Sequence, residues 1–288
     1  KNNPNFIELC LNRKLVPEIT LQPLKRFELD GAIIFSDILM VPYGMGQKVE
    51  FKKDFGPILG NYNNQELENV DDLIFKDKLK PVYDSMEYLS KQLRDSPKSL
   101  IGFVGAPWTI LIYMLNKQSP KKKNPDKIIY EYKNINNLMS AVIKFIKIHI
   151  SEQVKSGAQI IQIFDSWAGL VDKKHIGKFI YQPTRELVEF TQNLGIPVIC
   201  FPREIKDYKR FVKEVKPSAI NIDYNVNPKD ISNNINIPIQ GGLNPSFLLT
   251  DKETVKKETK NLLDIFKNHP YIFNLGHGVL PQTDPNMV

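Results

Sequence analysis

The residues able to do chemistry in this 288-residue chain stand where apolar runs stop. Asp37 follows AIIFS, Asp165-Ser166 follow AQIIQIF, Arg203 follows IPVICFP, Asp223 follows AINI, and His277 sits in LGHG. A carboxylate held at the end of a stiff strand can accept hydrogen bonds or oppose a developing positive charge, and a histidine beside it can move protons. Each residue also has a plain structural reading. Asp37, Asp165 and Asp223 can cap the helices that follow. Trp108 can be core, Gly276 and Gly278 can permit a turn, and a lone histidine in such a turn can be structural.

Other chemistries lack their residues. His149, His175, His269 and His277 have neither HxxxH spacing nor cysteine neighbours, and Cys10 and Cys200 are too few for a disulfide framework or a cysteine-built zinc site. GxGxxG, GxxxxGK[ST] and GxSxG do not occur. The net charge of +7 and pI near 9.1 hint at acidic partners, although solvated lysines in a Lys- and Asn-rich chain account for both. Lys121-Lys122-Lys123 reads as a solvated loop, and no interleaved aromatics support nucleic-acid binding. No run approaches the ~20 apolar residues of a membrane span, and no secretory signal opens the chain. A soluble, intracellular protein is expected.

The elements that must position these groups alternate. Residues 1–30 read as two helices, the second opening near Pro17. AIIF, LIGFV, QIIQIF, PVICF, AINID, PIQGG and YIFNL read as seven core strands, unbroken enough to be covered on both faces. Helices are expected between them, over about 80–93, from ILIYML, and over about 128–155 and 173–193, while 50–80 reads as polar and Asn-rich. Strand–helix alternation defines an α/β fold with a parallel sheet. A doubly wound sheet of seven strands and a (β/α)8 TIM barrel with its first strand upstream of residue 1 are both compatible; the barrel is preferred, as one domain over residues 1–288. In a barrel the strand ends collect Asp37, Trp108, Asp165-Ser166, Arg203, Asp223, Gly241-Gly242 and His277 at one mouth.

Five segments carry a resemblance. TLQPLKRFELDGAIIFSDILMVPYGMG (20–46), IGFVGAPWTILIYML (101–115), SGAQIIQIFDSWAG (156–169), IPIQGGLNP (237–245) and FNLGHGVLPQTDP (273–285) resemble the uroporphyrinogen decarboxylase family in order and spacing. The resemblance implies a (β/α)8 barrel, a homodimer, and removal of carboxyl groups from the four acetate arms of uroporphyrinogen to give coproporphyrinogen. It implies no metal and no organic cofactor, because the protonated pyrrole itself can take up the electrons left by departing CO2. It makes Asp37 the catalytic carboxylate facing the pyrrole N–H groups. Tyr113, Ser166 and His277 would contact the substrate's carboxylates or ring periphery, and Phe35 and Phe164 would form the apolar walls.

Three departures stand out. The family's arginine-bearing segment upstream of TLQPL and its terminal helix are not found, so a chain trimmed at both ends is expected. The loop 116–124 is Lys-rich where the family is Gly-rich. Phe201-Pro202-Arg203-Glu204 replaces a small, Gly-containing pattern. Rival readings are a zinc- and corrinoid-linked methyltransferase of the same fold, and a non-catalytic porphyrinogen-binding relative. A cytosolic or a plastid-type location is equally compatible.

Overall fold

The computed structural model describes residues 5–52, 55–61, 70–120 and 134–288. Two short helices open it, α1 (Phe6–Cys10) and α2 (Leu15–Arg26), followed by strand β1 (Gly31–Ile33) and helix α3 (Met40–Gly44). A hairpin, β2 (Val49–Lys52) with β3 (Gly56–Leu59), precedes helix α4 (Asp72–Leu93). Then come β4 (Ser99–Gly105), α5 (Pro107–Asn116), α6 (Ile135–Lys155), β5 (Ile160–Asp165) and α7 (Gln182–Asn193), which is entered through a π-helical turn at Gly177–Tyr181. The chain continues with β6 (Val198–Pro202), α8 (Tyr208–Val215), β7 (Ala219–Ile222), α9 (Pro228–Asn234), β8 (Ile239–Gly241), α10 (Lys252–Phe266) and β9 (Tyr271–Ile272).

Seven of these strands form one parallel sheet in the order β1-β4-β5-β6-β7-β8-β9, each joined to the next by a helical crossover. This sequential order is that of a (β/α)8 barrel, and it removes the doubly wound alternative, whose strand order reverses at a switch point. β1 and β9 are the two edges of the sheet. The curl is visible in its polar interior. Gln240 Nε2 donates to Asn221 Oδ1 at 2.7 Å and to Gln162 Oε1 at 3.4 Å. Strands β5 and β8 are two strands apart, so a side-chain bond between them requires both residues to lie on a concave face.

The centre of the sheet is enclosed. Every residue of β6 and β7 is buried, and helices cover the outer face with Phe75 of α4 tilted against Phe145 of α6, centroids 4.8 Å apart. The expectation of strands covered on both faces fails at the edge, where Ile33 of β1 is 41% exposed. β1 also starts one residue before AIIF and ends two residues before it does. Its pairing with β4 ends at Ile33 opposite Ile101, with a last bond from Ile34 N to Ile101 O. Beyond that point the backbone of Phe103 bonds to the side-chain amide of Gln153 from α6, at 3.0 and 3.1 Å. With those groups satisfied, the chain is free to leave the sheet at Phe35-Ser36-Asp37.

Two helix boundaries differ from the sequence reading. α4 begins at Asp72 and not near residue 80, because Asp71 Oδ1 accepts from Leu73 N and Ile74 N and starts the helix inside the polar stretch. α6 begins at Ile135; residues 121–133, which include Lys121–Lys123, lie outside the described residues.

Candidate active site

Asp37 lies just past β1, in the turn before α3. Its Oδ1 accepts from Leu39 N at 2.8 Å, and its backbone carbonyl accepts from Met40 N at 3.2 Å. The helix-capping reading is therefore half right: one oxygen fixes a local turn, although Leu39 occupies the cap position of α3. The second oxygen has no hydrogen-bond partner among the described residues. Burial pushes the carboxyl from its ordinary 3.8 to about 6, with the Leu39 N–H opposing the rise. Such a group is ionised near neutral pH, rigid, and open on one side.

Tyr113, on α5, is half-buried. Burial raises the pKa of its hydroxyl most; the Trp167 side chain lowers it, the Asp37 charge raises it, and Ser119 and the Arg203 charge lower it, which puts Asp37, Tyr113 and Arg203 within electrostatic reach of one another. The Tyr113 ring meets Trp167 edge-on, centroids 6.2 Å apart. Ser166 stands next to Trp167 and is half-buried. The turn carrying both is pinned from below: Trp167 N donates to Thr109 Oγ1 at 3.1 Å, and Thr109 Oγ1 donates to Asp165 Oδ1 at 2.6 Å.

The aromatic walls come from two sides. Phe164 shares the concave face with Gln162, two residues before it on β5. It packs between Phe103 and Phe201 at 5.5 and 6.3 Å. Phe35 is held by a bond from its N–H to Thr20 Oγ1 (2.9 Å) and meets Phe6 edge-on at 5.7 Å.

His277 follows β9 and faces Tyr224 edge-on at 6.5 Å. Gly276 explains the LGHG spacing. A Cβ there would come within 2.3 Å of Tyr224 N and 2.9 Å of Asp223 C, so only glycine lets this turn lie against the end of β7. The structure thus gathers Asp37, Tyr113, Ser166 and Phe164 around β1, β4 and β5, and places His277 with Tyr224 at the β7–β9 end.

The other acids are enclosed. Asp165 is 2% exposed, and its Oδ2 has no hydrogen-bond partner among the described residues. Burial raises its carboxyl to about 7 against the lowering effect of the Thr109 bond. Asp223 is 1% exposed, with Oδ2 accepting from Glu204 N at 2.5 Å and from Tyr208 Oη at 3.1 Å. Burial also raises its pKa, opposed by those donors and by Arg203. Trp108 is core, as its plain reading had it, with no exposed surface. Sequence reasoning missed Thr109, Trp167, Tyr208 and Tyr224, none of which has a motif of its own.

Fold and site together define a parallel (β/α) barrel of the enzyme type, with one half-open carboxylate at the C-terminal ends of its strands. The uroporphyrinogen decarboxylase family pattern matches residues 1–288, and the chain belongs to that family. It is 38% identical over its whole length to uroporphyrinogen decarboxylase of Rickettsia bellii, covering 86% of that protein. It is 37% identical to the enzyme so named in Wolbachia pipientis wMel over 98% of this chain and 84% of that one. Among solved structures, a methyltransferase from Methanosarcina mazei superposes with a TM-score of 0.80 at 12% identity, over 98% of this chain and 84% of the other. That likeness shows the fold alone. Among the described residues no group of three or more His, Cys, Asp or Glu is placed to hold a metal ion, and no helix is long and apolar enough to cross a membrane.

Proposed function

We propose that the protein removes the four acetate carboxyl groups of uroporphyrinogen III, yielding coproporphyrinogen III in haem biosynthesis, with residues 1–288 acting as one domain and Asp37 as the catalytic carboxylate. The observation that carries this reading is the half-open Asp37, with Oδ1 tied to Leu39 N and the other oxygen unpartnered among the described residues, in a chain whose residues 1–288 match the family. The free oxygen accepts hydrogen bonds from pyrrole N–H groups. When a pyrrole α-carbon is protonated, the ring becomes an iminium-like cation, and the fixed carboxylate opposes that charge while the C–CO2 bond breaks toward it. The new methylene carbanion, held as an enamine, takes a proton, and the ring's added proton leaves. Because the pyrrole is the electron sink, no metal or organic cofactor takes part.

Phe35 and Phe164 supply apolar faces for the macrocycle, while Tyr113, Ser166 and His277 meet its periphery. The chain works as a homodimer, as in the family resemblance. Anaerobic turnover of uroporphyrinogen by the metal-free full chain, followed by chromatography of the products, tests the reading. Coproporphyrinogen formation is the expected result. Binding without turnover would favour a porphyrinogen-binding relative, and no turnover together with zinc-dependent methylation of a thiol would favour the methyltransferase reading.

A further inference from the structure

At the end of β6 a cation is held in an unfinished way. Arg203 follows β6, its N–H bonded to Asp165 O at 3.1 Å and its own carbonyl accepting from Gly169 N at 3.0 Å. The backbone is therefore fixed between two strand ends. The guanidinium, 15% exposed, stands between two carboxylates. Nη2 donates to Glu204 Oε1 at 3.2 Å, while Nε lies 3.6 Å from Asp223 Oδ1. That second distance is an ion pair without a hydrogen bond, and both atoms are buried and otherwise unpartnered among the described residues. Among those residues a guanidinium with five donors thus makes one side-chain hydrogen bond, to the more exposed of its two neighbours.

Glu204 is itself held under strain. Its φ is 58°, the left-handed region that costs a side-chain-bearing residue about 1 kcal/mol. That conformation directs its N–H to Asp223 Oδ2 at 2.5 Å. Glu204 also lines a cleft of about 500 Å3 beside the mouth, together with Lys173, Lys206 and Arg210. Its carboxylate therefore has a second place to go, where those three cations outnumber the carboxylates of Asp172 and Asp207.

We infer that Arg203 is a carboxylate-binding residue for the acidic arms of the substrate, and that Glu204 is its exchangeable partner in the empty site. This rests on the uroporphyrinogen reading above. When a substrate carboxylate arrives, Arg203 closes the 3.6 Å gap to Asp223, which anchors Nε. The two terminal nitrogens turn their paired N–H groups to the arm, and Glu204 swings into the cleft. Asp223 is the fixed anchor because Tyr208 and the Glu204 N–H hold its other oxygen. The Arg203 charge already reaches the Tyr113 hydroxyl, as the Asp37 charge does, so an arm held here lies within electrostatic reach of the same hydroxyl as Asp37.

The test is binding of uroporphyrin III, the oxidised and unreactive octacarboxylate, to the natural full chain, read by fluorescence quenching beside turnover of uroporphyrinogen. Arg203→Gln is expected to weaken binding about tenfold or more, and Arg203→Lys about threefold, because the ammonium keeps the charge without the fork. Glu204→Gln is expected to tighten binding about threefold, since a neutral amide competes poorly for the guanidinium. A merely structural Arg203–Glu204 pair would lower the melting temperature in both variants and never tighten binding. Glu204→Gln leaves the Asp223 pair intact, so it reports even where Arg203→Gln fails to fold. An Arg203→Gln dissociation constant within twofold of wild type, or Glu204→Gln binding no tighter, overturns the inference. Arg203-dependent binding by a wild-type chain that turns nothing over would remove the decarboxylase reading and leave this one.

Discussion

Asp37 and Asp223 both follow short β-strands and point into the same mouth, yet they live in opposite surroundings. Asp223 ends β7, a strand buried at every position, and its carboxylate meets Glu204, Tyr208 and Arg203. Asp37 follows β1, an edge strand of three residues, and one of its oxygens meets no described residue. The centre of the sheet can enclose an acid because strands and helices supply donors on every side. The edge cannot, and the carboxylate left open there is the one available to a ligand. Asp165 is intermediate, enclosed but with one oxygen orphaned.

The largest effect should come from closing that difference at Asp37. Asp37→Asn keeps the acceptor for Leu39 N and removes only the charge. It is expected to lower kcat/KM by 10^3-fold or more, the scale of losing a preorganised electrostatic partner. The same variant should be more stable than wild type at pH 8. A buried carboxyl raised from 3.8 to about 6 opposes folding once ionised, by up to about 3 kcal/mol. With the folded value above the unfolded one, the stability it allows at low pH is lost as pH rises through about 6. The wild-type kcat/KM should accordingly fall below about pH 6, as the essential carboxylate takes a proton. A variant that loses both activity and stability at pH 8 would break the comparison, because Asp37 would then be another enclosed structural acid.

Asp223→Ala probes the other side. It strands Arg203 and Tyr208 in a buried place, and breaking a buried pair costs about 3–5 kcal/mol. Chemical denaturation should show that loss, KM should rise because Arg203 has lost its anchor, and kcat at saturating substrate should follow the folded fraction. A kcat lost in excess of unfolding would instead assign Asp223 to the chemistry.

Much of this contrast was legible in the sequence and part was not. The seven core strands and the acids at their ends follow from apolar runs broken by polar residues, because a buried parallel strand has to be apolar throughout and has to stop somewhere; the barrel order of those strands was expected only from the family resemblance. Which acid stays open depends on how far β1 runs and on what covers it. That is decided by Gln153, more than a hundred residues away, capping the Phe103 backbone. The start of α4 was missed because Asp71 acts through a local cap in a stretch whose composition reads as loop. Thr109 and Trp167 were missed because they act on a neighbour's backbone and ring, which no spacing rule records. The departures at 116–124 and 201–204 were visible. Their meaning appears only with Lys117 at φ 57° and Glu204 at φ 58°, left-handed positions where glycine would be the ordinary choice.

Asp165→Asn should have a smaller effect, and one that depends on pH. Its carboxyl, raised to about 7, is ionised at pH 8 at the expense of folding, whereas at pH 5 it is already neutral. The Asn side chain can still accept from Thr109 and hold the Ser166-Trp167 turn. Thermal melts should therefore show the variant gaining on wild type between pH 5 and pH 8, by up to about 2 kcal/mol after the buried amide's own desolvation. Turnover should stay within about threefold. A loss of a hundredfold would move Asp165 into the same class as Asp37.

The smallest expected effect separates backbone from side chain at Glu204. Glu204→Gly relieves the left-handed strain but restores chain entropy to the unfolded state, for a net gain of about 0.5 kcal/mol. Glu204→Ala keeps the strain and loses the pairing with Arg203, a partly exposed ion pair of 3.2 Å that is itself a minor contributor. The order of melting temperatures should be Gly above wild type, and wild type at or above Ala. Both variants leave the Glu204 N–H in place for Asp223. If Gly and Ala melt together, the backbone at this strand end is not strained, and the glycine expected there would have to reflect the close approach of Gly169, whose added Cβ would meet Glu204 Cβ at 2.6 Å.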